Sequence, residues 1–148
     1  MPRRKPKAIG LAVITLTLAY NLAVANASDG VFRGMIVCEK LKTSQFMLRG
    51  PLDIIVTGKT AIAARPIFNI KGTLVVGSEI ATGTVADDGT IKLSSKWKGA
   101  GSIFEGNYSG VLGDKGGTLT GTQAWKWTTP EDQQTRNCTA SFVMVQSN

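Results

Sequence analysis

From Thr90 onward the sequence alternates between one apolar or small residue and one polar residue. Ile91, Leu93 and Trp97 fall on one parity, with Ser95 between them, and Lys92, Ser94, Lys96 and Lys98 fall on the other. A period of two belongs to a strand with one face packed and one face in water. The pattern recurs three times. Phe104, Gly106, Tyr108, Gly110 and Leu112 oppose Glu105, Asn107 and Ser109. Leu119, Gly121, Gln123, Trp125 and Trp127 oppose Thr118, Thr120, Thr122 and Lys126. Cys138, Ala140, Phe142 and Met144 oppose Thr139, Ser141, Val143 and Val145.

Earlier strands are expected at Gly30–Glu39, Leu52–Thr57, Thr60–Ala64, Gly72–Val76 and Glu79–Ala86, with the Arg65-Pro66 step ending or bending one of them. Asp87-Asp88-Gly89 and Gly113-Asp114-Lys115-Gly116-Gly117 are hairpin signals, and Gly50-Pro51 and Thr57-Gly58-Lys59 punctuate the earlier part. No stretch after residue 28 keeps apolar residues at helical spacing over three turns. About eight short strands joined by tight turns make an antiparallel meander, and a twisted sheet of that many strands tends to close on itself. The expected fold is therefore all-β, a small antiparallel meander β-barrel, with a β-sandwich as the alternative.

The first 27 residues read differently. Residues 1–7 hold four positive charges and no negative one, an apolar run follows from Ala8 to about Tyr20, and Ala25-Asn26-Ala27 offers a small-x-small exit. Charged start, short apolar middle and small-residue cleavage site make a secretory signal peptide, helical in its apolar stretch. The alternative is a retained anchor, but a spanning helix needs about 20 apolar residues, and reaching that length means including Asn21 and Asn26. The organisation expected is a signal peptide over 1–27 and one β-domain over 28–148, placed in the periplasm or secreted, with no membrane span after cleavage.

Cleavage changes the charge. The whole chain is formally +7, but residues 28–148 carry 13 basic against 10 acidic residues, net +3. Most of the excess is export signal, which argues against nucleic acid as a partner. The two cysteines, Cys38 and Cys138, meet oxidising conditions after export and are expected to pair. The other reading is a redox-active thiol, but no Cys-x-x-Cys motif and no helix start lowers a thiol pKa here.

The composition closes off several chemistries. With no histidine, Ser-His-Asp and Cys-His catalysis are out, and two cysteines cannot build a cysteine-rich structural zinc site. Asp53, Glu79 and Glu105 lie on expected strands, but nothing in the sequence brings two carboxylates together. No nucleophile elbow, Ser-x-x-Lys or phosphate loop occurs. No catalytic residue, metal or cofactor is expected.

Binding candidates remain. Trp97, Tyr108, Trp125 and Trp127 could form a stacking platform, although filling a core is the commoner use of such side chains. Gln123 shares the parity of Leu119 and Trp125, so pointing inward it needs a hydrogen-bonding partner. Gly106, Gly110 and Gly121 sit on the packed parity, where bare backbone leaves room for a neighbouring side chain or for a ligand. Lys92, Lys96 and Lys98 form a basic stripe that could meet an anionic envelope component, or could be a solvated face protecting the strand from aggregation.

The run Phe104-Glu105-Gly106-Asn107-Tyr108-Ser109-Gly110, with Gly117-Thr118-Leu119-Thr120-Gly121-Thr122-Gln123-Ala124-Trp125, Arg65-Pro66-Ile67-Phe68-Asn69 and a late Cys138, looks like a group of small exported proteins from α-proteobacteria. The likeness spans most of the chain after residue 27 and implies a periplasmic or secreted protein without supplying an activity. The Leu-Thr-Gly-Thr run and the Trp-bearing meander are also similar to the avidin family, from which no ligand residue is carried over. At the level of a small disulfide-bearing barrel the chain is similar to periplasmic lysozyme inhibitors, although a basic inhibitor would meet a like charge on a basic lysozyme. The expectation is an exported, non-catalytic module that binds a small ligand or an envelope component. The alternative is a structural or inhibitory protein acting through protein contact.

Overall fold

The strand alternation closes into a ring. A computed structural model describes residues 29–42, 47–69, 71, 73–99, 102–127 and 133–147, with Trp127 in its backbone only. The expected signal peptide lies outside these residues. Eight strands follow one another: β1 (Gly30–Cys38), β2 (Leu48–Thr57), β3 (Thr60–Phe68), β4 (Val75–Val85), β5 (Thr90–Gly99), β6 (Ser102–Gly113), β7 (Gly116–Trp127) and β8 (Gln134–Ser147). Each pairs antiparallel with the next, and β8 pairs with β1, so the sheet is a closed barrel rather than a sandwich.

Closure joins the ends of the chain. Cys38 faces Cys138 in register across β1 and β8, with their Cα atoms 4.0 Å apart, and the two form a disulfide. A link closing a loop of 100 residues removes unfolded-state entropy worth on the order of 4–5 kcal/mol in the chain-entropy account.

The turn signals hold where they fall between strands. Gly58 and Gly89 have positive φ, 58° and 80°, in the β2–β3 and β4–β5 turns. Asp88 Oδ1 accepts the Thr90 N–H at 2.9 Å, an Asx turn that starts β5. These turns and β6–β7 define one end of the barrel, here the turn end. The opposite, loop end carries the connections after β1, β3, β5 and β7.

Three expectations are corrected. Gly72–Val76 and Glu79–Ala86 are not two strands: β4 runs unbroken through Val75–Val85, because Gly77 and Ser78 pair with Ile67 and Pro66 and keep the ladder intact. Gly50-Pro51 is not a turn, since both residues lie inside β2 and pair with Ile36 and Met35. Arg65-Pro66 does not end β3, which continues to Phe68. What ends there is one ladder. The β2–β3 pairing stops at Asp53–Ala64, and both strands carry a proline beyond it, Pro51 and Pro66, with no N–H to donate. The β4–β5 ladder likewise begins only at Ala81–Ser95. At the loop end the β3–β4 hairpin is therefore paired within itself and with neither neighbour.

Inside, the turn end is apolar. Phe32, Ile54, Val56, Ala61, Ile91 and Leu112 are fully buried, and Phe32 meets Phe142 edge-to-face at 6.0 Å, a favoured aromatic geometry. Outside, the wall has two characters. Ile55, Ile62 and Ile80 stand exposed on β2–β4, whereas Lys92, Ser94, Asn107, Ser109, Thr120 and Thr122 cover β5–β7. A lipid-spanning barrel needs an apolar outward band all the way round, which the β5–β7 side does not offer. No helix among the described residues is long and apolar enough to cross a membrane.

Candidate functional site

The loop end holds the polar side chains of the interior. On β3, Arg65 shares the inward parity of Ala61, Ala63 and Ile67. On β4, Glu79 shares that of Ala81 and Val85. On β8, Arg136 precedes Cys138 and Ala140. The alternation that buries a strand's apolar residues therefore carries these charges inside, where Arg65, Glu79 and Arg136 are 4%, 3% and 7% exposed.

They form one network with Glu79 at its centre. Arg65 and Glu79 are cross-strand partners, and Arg65 Nε donates to Glu79 Oε2 in a buried ion pair. Glu79 Oε1 also accepts from Ser95 Oγ and, at 2.7 Å, from the Tyr108 hydroxyl. That hydroxyl accepts Gln123 Nε2 at 2.7 Å. Gln123 Oε1 accepts Arg136 Nε and Nη2 at 2.9 and 2.7 Å, and Trp125 Nε1 at 3.3 Å. A continuous chain thus runs from Arg136 through Gln123 and Tyr108 to Glu79. Burial, and then the negative charge of Glu79, push the Tyr108 hydroxyl far above its usual pKa of 10.0, so the phenol stays a donor. Burial, then the positive charge of Arg65, lower Arg136 to about 10.

Gly106 makes the room. A Cβ there would lie 2.5 Å from Ser95 Oγ, 2.7 Å from Tyr108 Oη and 2.9 Å from Glu79 Oε1. At Gly110 and Gly121 a Cβ would strike the backbone of Thr118 and Asn107. The space these glycines leave is filled by the protein itself, so it is packing space.

Aromatic rings cap the network. Phe104 is fully buried, with Trp125 at 4.7 Å and Trp97 at 5.8 Å between ring centroids, and the two indoles are 6.2 Å apart. The Arg65 guanidinium lies 5.9 Å from the Phe104 ring centre and that of Arg136 5.4 Å from Trp125, within cation–π range. Trp97 and Trp125 are half-buried. Trp97 leans across the unpaired stretch between β4 and β5, its Nε1 only 2.8 Å from where a Cβ on Gly77 would sit.

Tyr108, Gln123, Trp125 and Trp97, singled out from the sequence, are thus brought together. Trp127 continues β7 and pairs with Ser102, but its side chain lies outside the described residues. Among the described residues, the interior beside Tyr108 leaves a cavity of about 10 Å³ among Arg65, Glu79, Tyr108, Leu52 and Leu119, room for about one water. Tyr108 and Gln123 thus lie behind the aromatic rim of Trp97, Phe104 and Trp125.

Lys92, Lys96 and Lys98 stand exposed on the outer wall of β5, away from this cluster. Lys96 meets its register partner Glu105 at 3.2 Å, which neutralises the middle of the stripe. No group of three or more potential metal ligands occurs among the described residues.

Sequence reasoning missed Arg65, Glu79 and Arg136. In the sequence Arg65 draws attention only through the proline that follows it, and Glu79 looks like an isolated carboxylate. The parity that placed Gln123 inward places all three inward as well, and a charge on the packed parity was the available signal. Comparisons with protein-family models, with curated proteins and with solved structures each returned no match, so geometry alone describes this site.

Proposed function

We propose that this is an exported, non-catalytic β-barrel that binds a small ligand at its loop end, with Trp97, Phe104 and Trp125 as the contact surface and Gln123, Tyr108 and Arg136 as the polar backing. The observation that carries the reading is the aromatic rim: two half-buried indoles, Trp97 stacked and Trp125 tilted against the buried Phe104 ring, over a polar network, at the end where two ladders stop short. Apolar walls with a few convergent polar groups are the usual makeup of a small-molecule site. Export is supported by the charged, apolar and small-residue order of residues 1–27, and a buried disulfide fits an oxidising compartment. Glu79, Tyr108, Gln123 and Arg136 are engaged in holding one another, which supports a binding scaffold over catalysis.

Native mass spectrometry of the protein recovered from its source organism tests this. The expected result is a retained small mass that disappears in a Trp97→Ala, Trp125→Ala variant that still folds. A co-purifying polypeptide in its place would favour the protein-contact alternative. An empty monomer for both proteins would overturn the ligand reading.

A further inference from the structure

The outer wall carries an apolar face that the loop-end site does not use. Met35, Ile55, Ile62, Ile80, Val143 and Val145 are each between 43% and 60% exposed. They lie on β8, β1, β2, β3 and β4, which are consecutive around the ring. Five strands at about 4.8 Å spacing make a face roughly 19 Å across. Aliphatic side chains scattered singly over a surface need no explanation, but a contiguous face of this kind marks a contact site.

The middle of the face points to its occupant. Arg33 on β1 and Asp53 on β2 are register partners joined at 2.9 Å. Along the same seam Val31 pairs with Ile55 and Met35 with Pro51. The row through the ion pair continues to Val143 on one side and Ala64 on the other. The seam is therefore its own complement. A two-fold axis along it lays β1 of one copy over β2 of a second, so each register pair is remade between copies: Arg33 with Asp53, Val31 with Ile55, Met35 with Pro51. An axis across the strands would instead set Arg33 on Arg33.

A bilayer fits this face less well. An apolar face lying on a membrane is rimmed by Lys and Arg, yet Lys92, Lys96 and Lys98 sit on β5, across the ring from β1. Lipid would also strip water from the Arg33–Asp53 pair and return nothing, whereas a second copy offsets that loss by giving each charge another counter-charge.

We propose that two copies of this chain associate through the β1–β2 seam, in an isologous contact centred on alternating Arg33 and Asp53 side chains and walled by aliphatic ones. The barrel wall is convex, so the contact stays below the roughly 800 Å² per partner of a standard interface and the dimer is a weak one.

Sedimentation equilibrium of the exported, disulfide-bonded protein over a concentration series tests the proposal. The dimer is expected to be half dissociated at roughly micromolar concentration. Asp53→Arg, which leaves two arginines on the seam, and Arg33→Asp, which leaves two aspartates, should each weaken association roughly tenfold or more. Mixed together, the two variants should form a heterodimer about as tight as the original, because each seam again meets its opposite. That rescue separates a contact between copies from loss of the pair within one chain, which mixing cannot restore. Ile55→Lys should weaken the dimer without touching the ion pair, while Val111→Lys, exposed on β6 and off the face, leaves it unchanged. Thermal melting identifies which variants are folded. A monomer at roughly millimolar concentration, a dimer indifferent to Asp53→Arg or to Ile55→Lys, or a mixture that stays monomeric overturns the proposal. Binding to phosphatidylcholine vesicles that Ile55→Lys abolishes, with no dimer in solution, overturns it too and makes the face a lipid contact.

Discussion

The two ends of this barrel are built on the same strands and solve opposite problems. At the turn end the interior is carbon: Phe32, Ile54, Val56, Ile91 and Leu112 fill it, the chain reverses tightly, and the ladders run to the hairpins. At the loop end the same alternation delivers Arg65, Glu79, Ser95, Gln123 and Arg136 to the inside, and two ladders stop before the strands do. Apolar packing tolerates loss of shape at a graded cost, because each lost contact is small. A buried ionic network is all or nothing, since removing one member strands the others. The turn end is therefore the reservoir of stability, and the loop end is where stability is committed to holding cations and indoles in fixed positions.

Paired substitutions test this contrast with the largest expected effect. Phe32→Ala should cost about 3–5 kcal/mol through the cavity it leaves. Glu79→Leu should cost about as much, roughly 3–5 kcal/mol, because Arg65 is left as an uncompensated buried charge. Only the second loss is recoverable: adding Arg65→Met to Glu79→Leu should restore most of it in urea unfolding. If the double variant is no more stable than Glu79→Leu, the network is not the unit described.

Reducing the Cys38–Cys138 disulfide should cost about 2–5 kcal/mol. Melting with and without reductant measures it, and an unchanged melting temperature would show that β1 and β8 hold together without the link. A smaller loss, about 1–3 kcal/mol, is expected for Gly106→Ala, whose methyl would crowd Ser95, Tyr108 and Glu79. Chemical denaturation is the check, and a neutral result would mean that the network yields easily.

The ends should also part company along the pH axis. Tyr108 is raised above its ordinary 10.0 in the folded state, so its contribution is complete below pH 10 and is lost as pH rises through the folded value. Tyr20 and Tyr108 are the chain's only tyrosines. In protein lacking residues 1–27, phenolate absorbance therefore reports Tyr108 alone. It should appear well above pH 10 while folded and near its ordinary value in denaturant. At the turn end, Asp88 is lowered below 3.8 by accepting the Thr90 N–H. Its contribution is present above that value and lost as pH falls through the folded one. Asp88→Asn should produce the smallest effect here, a slight flattening of the acid limb of the melting curve, because the carboxylate is on the surface.

Much of the architecture could be read without coordinates. The alternation in Thr90–Lys98 and its successors fixes which side chains face inward, since a strand's period leaves no choice once one face is buried. Turn residues such as Asp88-Gly89 set where the chain reverses, because few residues tolerate the required dihedrals. The pairing of Cys38 with Cys138 leaves no choice of partner, since the chain has only two cysteines. The misreadings cluster where a residue's local meaning conflicts with its ladder. Gly50-Pro51 and Arg65-Pro66 look like punctuation, yet proline costs a strand only the bond on the side where its N–H would point, and there the β2–β3 ladder stops short in any case.

The amino-acid sequence by itself determined parity and the covalent seam, because these depend on neighbours along the chain and on cysteine count, whereas the eight-strand count needed the β3–β4 ladder that joins Gly77 and Ser78 into one strand. Closure alone decided that Arg65, Glu79, Gln123 and Arg136, spread over four strands and 72 positions of sequence, meet at one level of one interior. Which inward residues become neighbours is set by register and by curvature around the ring. Those are properties of the whole sheet, and no window of sequence contains them.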